Sequence, residues 1–145
     1  MKYKVGCLLA ALESGEVDYI VHGVNCSDGF GSGIAAQIAE SFPQTKEQYH
    51  SKYEFEGWKL GEIQETVDLI INLASQNKYG KFGNKYCSYD AIEKGLNEVN
   101  SQFAGLKIGL PKIGAGLGGG NWNIIEKIIE ETLTNVDYTI YTLEE

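Results

Sequence analysis

The run 107–122, KIGLPKIGAGLGGGNW, carries Gly114, Gly116, Gly118, Gly119 and Gly120, five glycines in seven positions. Inside a helix or strand each glycine would cost roughly 0.5–1 kcal/mol relative to Ala, so the run reads as a loop. It follows a strand-like pattern (Leu106, Ile108, Leu110) and precedes an amphipathic helical one. Without Cβ atoms, such a loop can curl and turn its N–H groups on a ligand, and at a helix start it suits phosphate or another anion. The segment 25–34, NCSDGFGSGI, repeats the construction: an apolar strand, then Gly29, Gly31 and Gly33, then a helix start. Two such loops at the carboxyl ends of strands would face each other across the top of an α/β sheet, where ligands sit. One loop alone is equally well explained by turn chemistry, but the pair points to a ligand with two phosphates.

Gly114, Gly116 and Gly119 spell GxGxxG, yet a dinucleotide fold needs several further βα units, and only one helix and one strand follow here. Neither loop ends in Gly-Lys-Ser/Thr, which excludes a Walker P-loop. Among reactive side chains, His22 sits within a buried strand, where it is either a hydrogen-bonded core histidine or a general acid–base group with an ordinary pKa of ~6.5. Asn25 is a turn former or a ligand contact. Cys26, beside the loop but with no obvious activating base, reads as a buried inert thiol or a nucleophile, the former favoured. Lys112 reads as an exposed strand-end lysine or a phosphate contact, and Tyr141 as a core aromatic or a ring for stacking. The cysteines Cys7, Cys26 and Cys87 show no CxxC spacing, and only His22 and His50 could join them, so no metal site is expected.

The elements that must position these groups follow from periodicity. Tyr3–Cys7 reads as a strand, with a short helix or turn at Leu8–Leu12. Tyr19–Val24 has the continuous apolar character of a strand covered on both faces. Ile34, Ala35, Ile38 and Phe42 fall at helical spacing, with Pro43 expected to stop that helix, and Thr45–Tyr53 reads as a further helix. Ile63 lies in a short edge strand and Val67–Leu73 in a buried one. Asn77–Lys85 is a glycine-containing loop, either a lid or idle. Ile92, Leu96, Val99 and Phe103 mark a helix capped by Ser88. Asn123 and Glu126 suggest a capping box for a helix with Ile124, Ile125, Ile128, Ile129 and Leu133 inward, and Tyr138–Leu143 closes as a strand. Alternating strands and helices imply a layered α/β fold with a mainly parallel sheet.

The 145 residues suit one domain, and 43% hydrophobic content with 5 Phe, 9 Tyr and 2 Trp suits an ordered core. The formal net charge of −8, with scattered lysines, argues against nucleic-acid and acidic-membrane partners. An anionic ligand must then be held mainly by backbone amides and helix dipoles. The apolar run Cys7–Leu12 is shorter than the ~7–15 residues of a signal h-region, and no run nears a membrane span of ~18–20 residues. With 3 cysteines, an odd number, a reduced cytoplasmic setting is expected.

With both loops in view, the sequence resembles the macrodomains, ADP-ribose-binding α/β modules. The resemblance spans essentially the whole chain and rests on VHGVNCSDGFGSGIA (21–35), SYDAI (88–92), LPKIGAGLGGGNW (110–122) and TIYTL (139–143). It is closest to the branch holding yeast-type ADP-ribose-1″-phosphate phosphatases, phage relatives and terminal ADP-ribose protein glycohydrolases. It implies a three-layer α/β/α macrodomain over 1–145 with a central mixed, mainly parallel sheet. It further implies that Asn25 bonds the distal ribose, that Gly31, Ser32, Gly33 and Ile34 form the first diphosphate loop, and that Ile113, Gly114, Ala115, Gly116, Leu117 and Gly118 form the second. Tyr141 and Leu143 match positions lining the adenine pocket, with Cys7 and Leu8 beside them. Cys7 stands where many members carry an adenine-binding aspartate. His22, with Asn25, matches the proposed catalytic position of the phosphatases. Gln76 and Gly118 occupy the positions of the glycohydrolase lysine and aspartate, which puts that mechanism in doubt.

The resemblance thus implies a hydrolase converting ADP-ribose-1″-phosphate to ADP-ribose and phosphate; a monomer with no cofactor is expected, and the lack of metal-ligand spacing points to a metal-independent reaction. The alternatives are an ADP-ribosyl hydrolase acting on protein ester conjugates, with ADP-ribosylated protein as partner, or a non-enzymatic reader of ADP-ribose-like nucleotides.

Overall fold

The apolar strands pair edge to edge and bury both faces beneath helices. In chain order the elements are β1 (Tyr3–Val5), α1 (Leu8–Glu13), β2 (Tyr19–Asn25), α2 (Ile34–Ser41), α3 (Pro43–Phe55), β3 (Ile63–Glu65), β4 (Ile70–Gln76), α4 (Tyr89–Gln102), β5 (Lys107–Leu110), α5 (Trp122–Thr132) and β6 (Asp137–Thr142). The computed structural model describes residues 2–31, 33–78, 87–116 and 118–143. The sheet runs β1-β6-β5-β2-β4-β3. Every neighbouring pair is parallel except β3–β4, which is antiparallel. The mainly parallel sheet expected from the alternation is therefore present, with the mixed character that the resemblance implies supplied by β3.

Side-chain alternation divides the core into two layers. Ile20 and Val24 of β2, with Ile70 and Ala74 of β4, pack with Leu8, Leu9, Ile38 and Tyr49 from α1, α2 and α3. Val21, Ile71 and Leu73 point the other way, against Ile92, Leu96 and Val99 of α4 and Ile125 and Ile129 of α5. All strands but β3 therefore end at one edge of the sheet. Asn25, Gln76 and the residues after Leu110, Thr142 and Val5 gather there, the place where an open α/β sheet holds ligands.

Several boundaries differ from expectation for identifiable reasons. Pro43 does not simply end α2; it is the first residue of α3, where a missing N–H is tolerated. Phe42, in a non-helical conformation (φ −134°, ψ 67°), makes the corner between the two helices. The strand expected from Val67 begins only at Ile70. Val67 is exposed and Leu69 has φ 65°, so 66–69 turns the β3–β4 hairpin. α5 is capped by Asn121, not Asn123: the Asn121 side chain accepts from the Asn123 amide at 2.9 Å. Ile125 and Ile129 are buried as expected, whereas Ile124, expected inward, is exposed. Ser88 caps α4 as expected, accepting from the Ala91 amide at 3.1 Å.

Candidate functional site

A cleft of about 530 Å³ opens at the carboxyl ends of β2, β4 and β5. Its floor forms where β2 meets β4. The pairing is regular from Ile20–Ile70 to Val24–Ala74 and then slips, so that Asn25 stands opposite Gln76. Such an irregularity re-aims side chains at a strand end, and Asn25 and Gln76 both line the cleft. One wall is the segment 27–35, with Ser27, Asp28, Gly29, Gly31, Gly33, Ile34 and Ala35; the other runs from Pro111 through Ile113, Gly114 and Gly116 to Gly118. Ser32 and Leu117, expected in the two loops, lie outside the described residues.

Glycine is required at specific points of this cleft. At Gly118 a Cβ would stand 2.8 Å from both Gln76 Oε1 and the Gly114 carbonyl, so the loop closes onto β4 only without a side chain. Gly114 has φ 77°, a left-handed conformation, and its carbonyl accepts the Gly120 amide at 2.8 Å. The amides of Ala115 and Gly119 are also used inside the loop. Those of Gly31, Gly33, Gly114, Gly116 and Gly118 have no acceptor among the described residues. α2 starts at Ile34 directly after the first loop and adds its N-terminal dipole there.

Asn25 organises the first wall. Its Oδ1 accepts from the amides of Ser27 (2.9 Å) and Gly29 (3.0 Å), and its Nδ2 donates to the Gly29 carbonyl at 2.7 Å. The buried Tyr49 hydroxyl lies 2.7 Å from the Asn25 carbonyl and 2.9 Å from its Oδ1. With the side-chain oxygen so engaged, the second Nδ2 hydrogen is what Asn25 has left for a ligand.

The remaining sequence candidates are placed differently. His22 is 0% exposed and does not line the cleft. Its Nε2 is 2.6 Å from Asn72 Oδ1, its cross-strand partner on β4, and its ring meets Phe30 edge-on at 5.5 Å. Burial pushes its pKa down to about 4, so it is a neutral core histidine, and the general acid–base role expected for it has no route to the cleft. Tyr141 is 6% exposed, and its hydroxyl bonds Glu16. It borders a separate hollow of about 300 Å³ with Lys4, Glu16 and Lys107; the open aromatic face expected for stacking is not presented to the cleft. Leu8 is buried beneath Gly109. Cys7 is exposed and Leu143 is 78% exposed, both at the carboxyl edge of the sheet beyond the cleft. Ala115 is half-buried and is not among the lining residues. Cys26 is half-buried, and its thiol pKa is raised by burial and then by Glu62, which suits an inert thiol.

Sequence reasoning missed Ser75, whose Oγ would collide with any Cβ on Gly23 at 2.5 Å, and the pairing of Asp28 with His50. Of the cleft-lining side chains, those of Asp28 and Lys112 carry charge. Lys112 leans over the Trp122 ring, 5.8 Å from its centroid. Among the described residues, no three His, Cys, Asp or Glu side chains converge as a metal site would need, and no helix is long and apolar enough to cross a membrane.

No protein-family model matches the chain. Individual relatives do. An uncharacterized 17.5 kDa protein of Enterobacteria phage T4 is 29% identical over 99% of this chain and 97% of its own length. An ADP-ribose 1″-phosphate phosphatase of Saccharomyces cerevisiae is 25% identical over 86% of this chain and 89% of its own. Among solved structures, a protein from Bacteroides thetaiotaomicron superposes with a TM-score of 0.84 at 29% identity, covering 97% and 96% of the two chains. The macrodomain of Mycobacterium tuberculosis DarG gives 0.78 at 25% identity, covering 97% and 95%. Thermosipho africanus DarTG, solved in complex with ADP-ribose, gives 0.72 at 20% identity over 89% of this chain and 39% of that one. The chain has the macrodomain fold. It is distantly homologous to the phage T4 protein and to the ADP-ribose 1″-phosphate phosphatases.

Proposed function

We propose that the cleft binds ADP-ribose and that the chain hydrolyses ADP-ribose-1″-phosphate to ADP-ribose and phosphate. The observation that carries this reading is the pair of glycine loops on opposite walls of one cleft, with the Gly31, Gly33, Gly114, Gly116 and Gly118 amides unengaged among the described residues. Amide donors of that kind suit a diphosphate in a protein whose net charge is −8. In this reading the diphosphate lies between 31–34 and 113–118, and the distal ribose lies near Asn25 and Gln76. The adenine lies toward the ends of β1 and β6, beside Cys7 and Leu143, and Tyr141 supplies packing beneath the sheet edge, not a stacking face.

The phosphatase assignment draws its support from the 25% identical yeast phosphatase. Water attacks the terminal phosphorus, and the loop amides stabilise the charge that develops on the phosphoryl oxygens. Buried and neutral, His22 serves the fold beneath the first wall and takes no part in this step. Phosphate release from ADP-ribose-1″-phosphate, read together with ADP-ribose binding, tests both halves. Binding with release supports an enzyme. Binding without release reduces the protein to a module that holds ADP-ribose.

A further inference from the structure

α3 fastens the first wall at two consecutive residues. Tyr49 reaches Asn25 through its hydroxyl, and His50, the next residue, reaches Asp28. His50 Nδ1 lies 2.8 Å from Asp28 Oδ1 and 2.7 Å from Oδ2. Asp28 holds φ 63°, a left-handed conformation that is uncommon outside glycine. The Asn25 carboxamide oxygen bonds the amides on either side of it, those of Ser27 and Gly29. An ordinary surface pair between a histidine and an aspartate contributes little and needs no such backbone. Here the backbone, an asparagine and a helix combine to fix the carboxylate of a residue that lines the cleft. Strained residues held this firmly are concentrated at functional sites.

Position along the sheet gives the carboxylate its task. Cys7 and Leu143 mark the β1–β6 side of the carboxyl edge, and the glycine loops rise above β5 and β2. Asp28 belongs to the segment anchored at Asn25, opposite Gln76 on the β2–β4 side, away from the adenine end. We propose that Asp28 orients and deprotonates the attacking water and that His50 is its positioning residue, an assignment that rests on the phosphatase reading above. The water oxygen forms a bond to the terminal phosphorus as the bond from phosphorus to the 1″ oxygen breaks. The water proton passes to the Asp28 carboxylate, and the departing 1″ oxygen takes its proton from solvent on the opposite side of phosphorus, leaving ADP-ribose and inorganic phosphate. A carboxylate that accepts the nucleophile's proton is established chemistry for phosphoryl transfer.

His50 makes the arrangement workable next to an anionic substrate. Its hydrogen bond to Asp28 is the main cause of a raised pKa; Asp28 and Glu54 charges add to this, while desolvation and Lys46 oppose it. Glu54 Oε1 stands 3.4 Å from His50 Nε2. The imidazolium therefore persists to higher pH than in free histidine, and it offsets the carboxylate charge facing the phosphate.

The test measures phosphate release from ADP-ribose-1″-phosphate across pH, with ADP-ribose affinity by calorimetry for each protein. Asparagine tolerates the left-handed backbone at position 28, so Asp28→Asn is expected to fold and to bind ADP-ribose within about threefold of the unaltered chain. Its kcat falls about 100-fold. His50→Gln loses about tenfold in kcat, less in KM, and lacks the decline in rate that the unaltered protein shows as pH rises through the His50 pKa. An Asp28→Asn kcat within threefold of the active unaltered protein overturns the role of Asp28. A His50→Gln pH profile that superimposes on the unaltered one overturns the role of His50. If the unaltered protein binds ADP-ribose but releases no phosphate, the phosphatase reading fails, and the Asp28 assignment falls with it.

Discussion

Acidification should destabilise the fold through His22, and the structure sets the size of the effect. The imidazole is wholly buried, with Nε2 on Asn72 and no hydrogen-bond partner for Nδ1 among the described residues. Asn72 gives its own Nδ2 to Gln64 Oε1 at 3.0 Å, so its Oδ1 is an acceptor and His22 is the Nε2–H tautomer. Protonation would place a charge on a wholly buried ring whose Nδ1 has no acceptor among the described residues. Burial accordingly lowers the folded pKa from 6.5 to about 4. The unfolded chain binds this proton between those values and the folded chain does not. Stability from His22 is therefore complete above pH ~6.5 and is lost as pH falls toward 4. At ~1.36 kcal/mol for each pH unit of displacement, the loss is about 3 kcal/mol, a large share of the ~5–15 kcal/mol by which domains are stable.

Urea unfolding at pH 7, 6, 5 and 4 reads this directly when the unaltered protein is compared with His22→Gln. Glutamine can still donate to Asn72 but does not titrate. The comparison cancels the other groups, including Glu16, whose pKa is lowered chiefly by its hydrogen bond from Lys4, and His50, whose raised pKa acts in the opposite sense. Between pH 7 and 4 the unaltered protein should lose about 3 kcal/mol more than His22→Gln. Parallel plots of stability against pH would refute the reasoning, because they would mean that His22 protonates in the folded state as easily as in the unfolded one.

Gly116 is exposed on the cleft wall, and a Cβ there would meet nothing within 4 Å. Gly116→Glu should keep its melting temperature within a few degrees while ADP-ribose binding becomes undetectable by calorimetry. Tyr49→Phe removes a buried hydroxyl from Asn25 and should cost about 1 kcal/mol in urea unfolding, with weaker ADP-ribose binding as the first wall loosens. Gly95→Ala on α4 sets two effects against each other. The gain in helix propensity is ~1 kcal/mol, but the new methyl would lie 2.5 Å from Leu73 Cγ in the core, and overpacking costs ~1–3 kcal/mol. A net destabilisation of about 1 kcal/mol is expected on balance.

The two glycine loops were legible in the sequence as a pair, each following an apolar strand, and Gly31, Gly33 and Ile34 line the cleft opposite Ile113, Gly114, Gly116 and Gly118. The order of strands and helices was legible for the same reason that periodicity works at all: this sheet is covered on both faces, and its strands are continuous apolar runs. That double coverage also hides what the sequence could not supply. In a strand apolar on both sides, nothing says which layer a residue enters, so His22 and Tyr141 could be read as cleft residues although both are enclosed in the layer beneath α1, α2 and α3. The corner at Phe42–Pro43 was hidden because proline ends one helix or begins another with equal ease. The Asp28–His50 pair was hidden because it joins residues from two elements, and only the packing of α3 on β2 brings them within hydrogen-bonding distance.

The central claim is that the two loops clasp a diphosphate-linked ribose. Calorimetric titration with ADP-ribose, with AMP as control, tests it most directly. Near-stoichiometric, micromolar binding of ADP-ribose that AMP does not match, lost in Gly116→Glu, is the expected result. Equal affinity for AMP and ADP-ribose, or no heat from ADP-ribose at several temperatures, would contradict it.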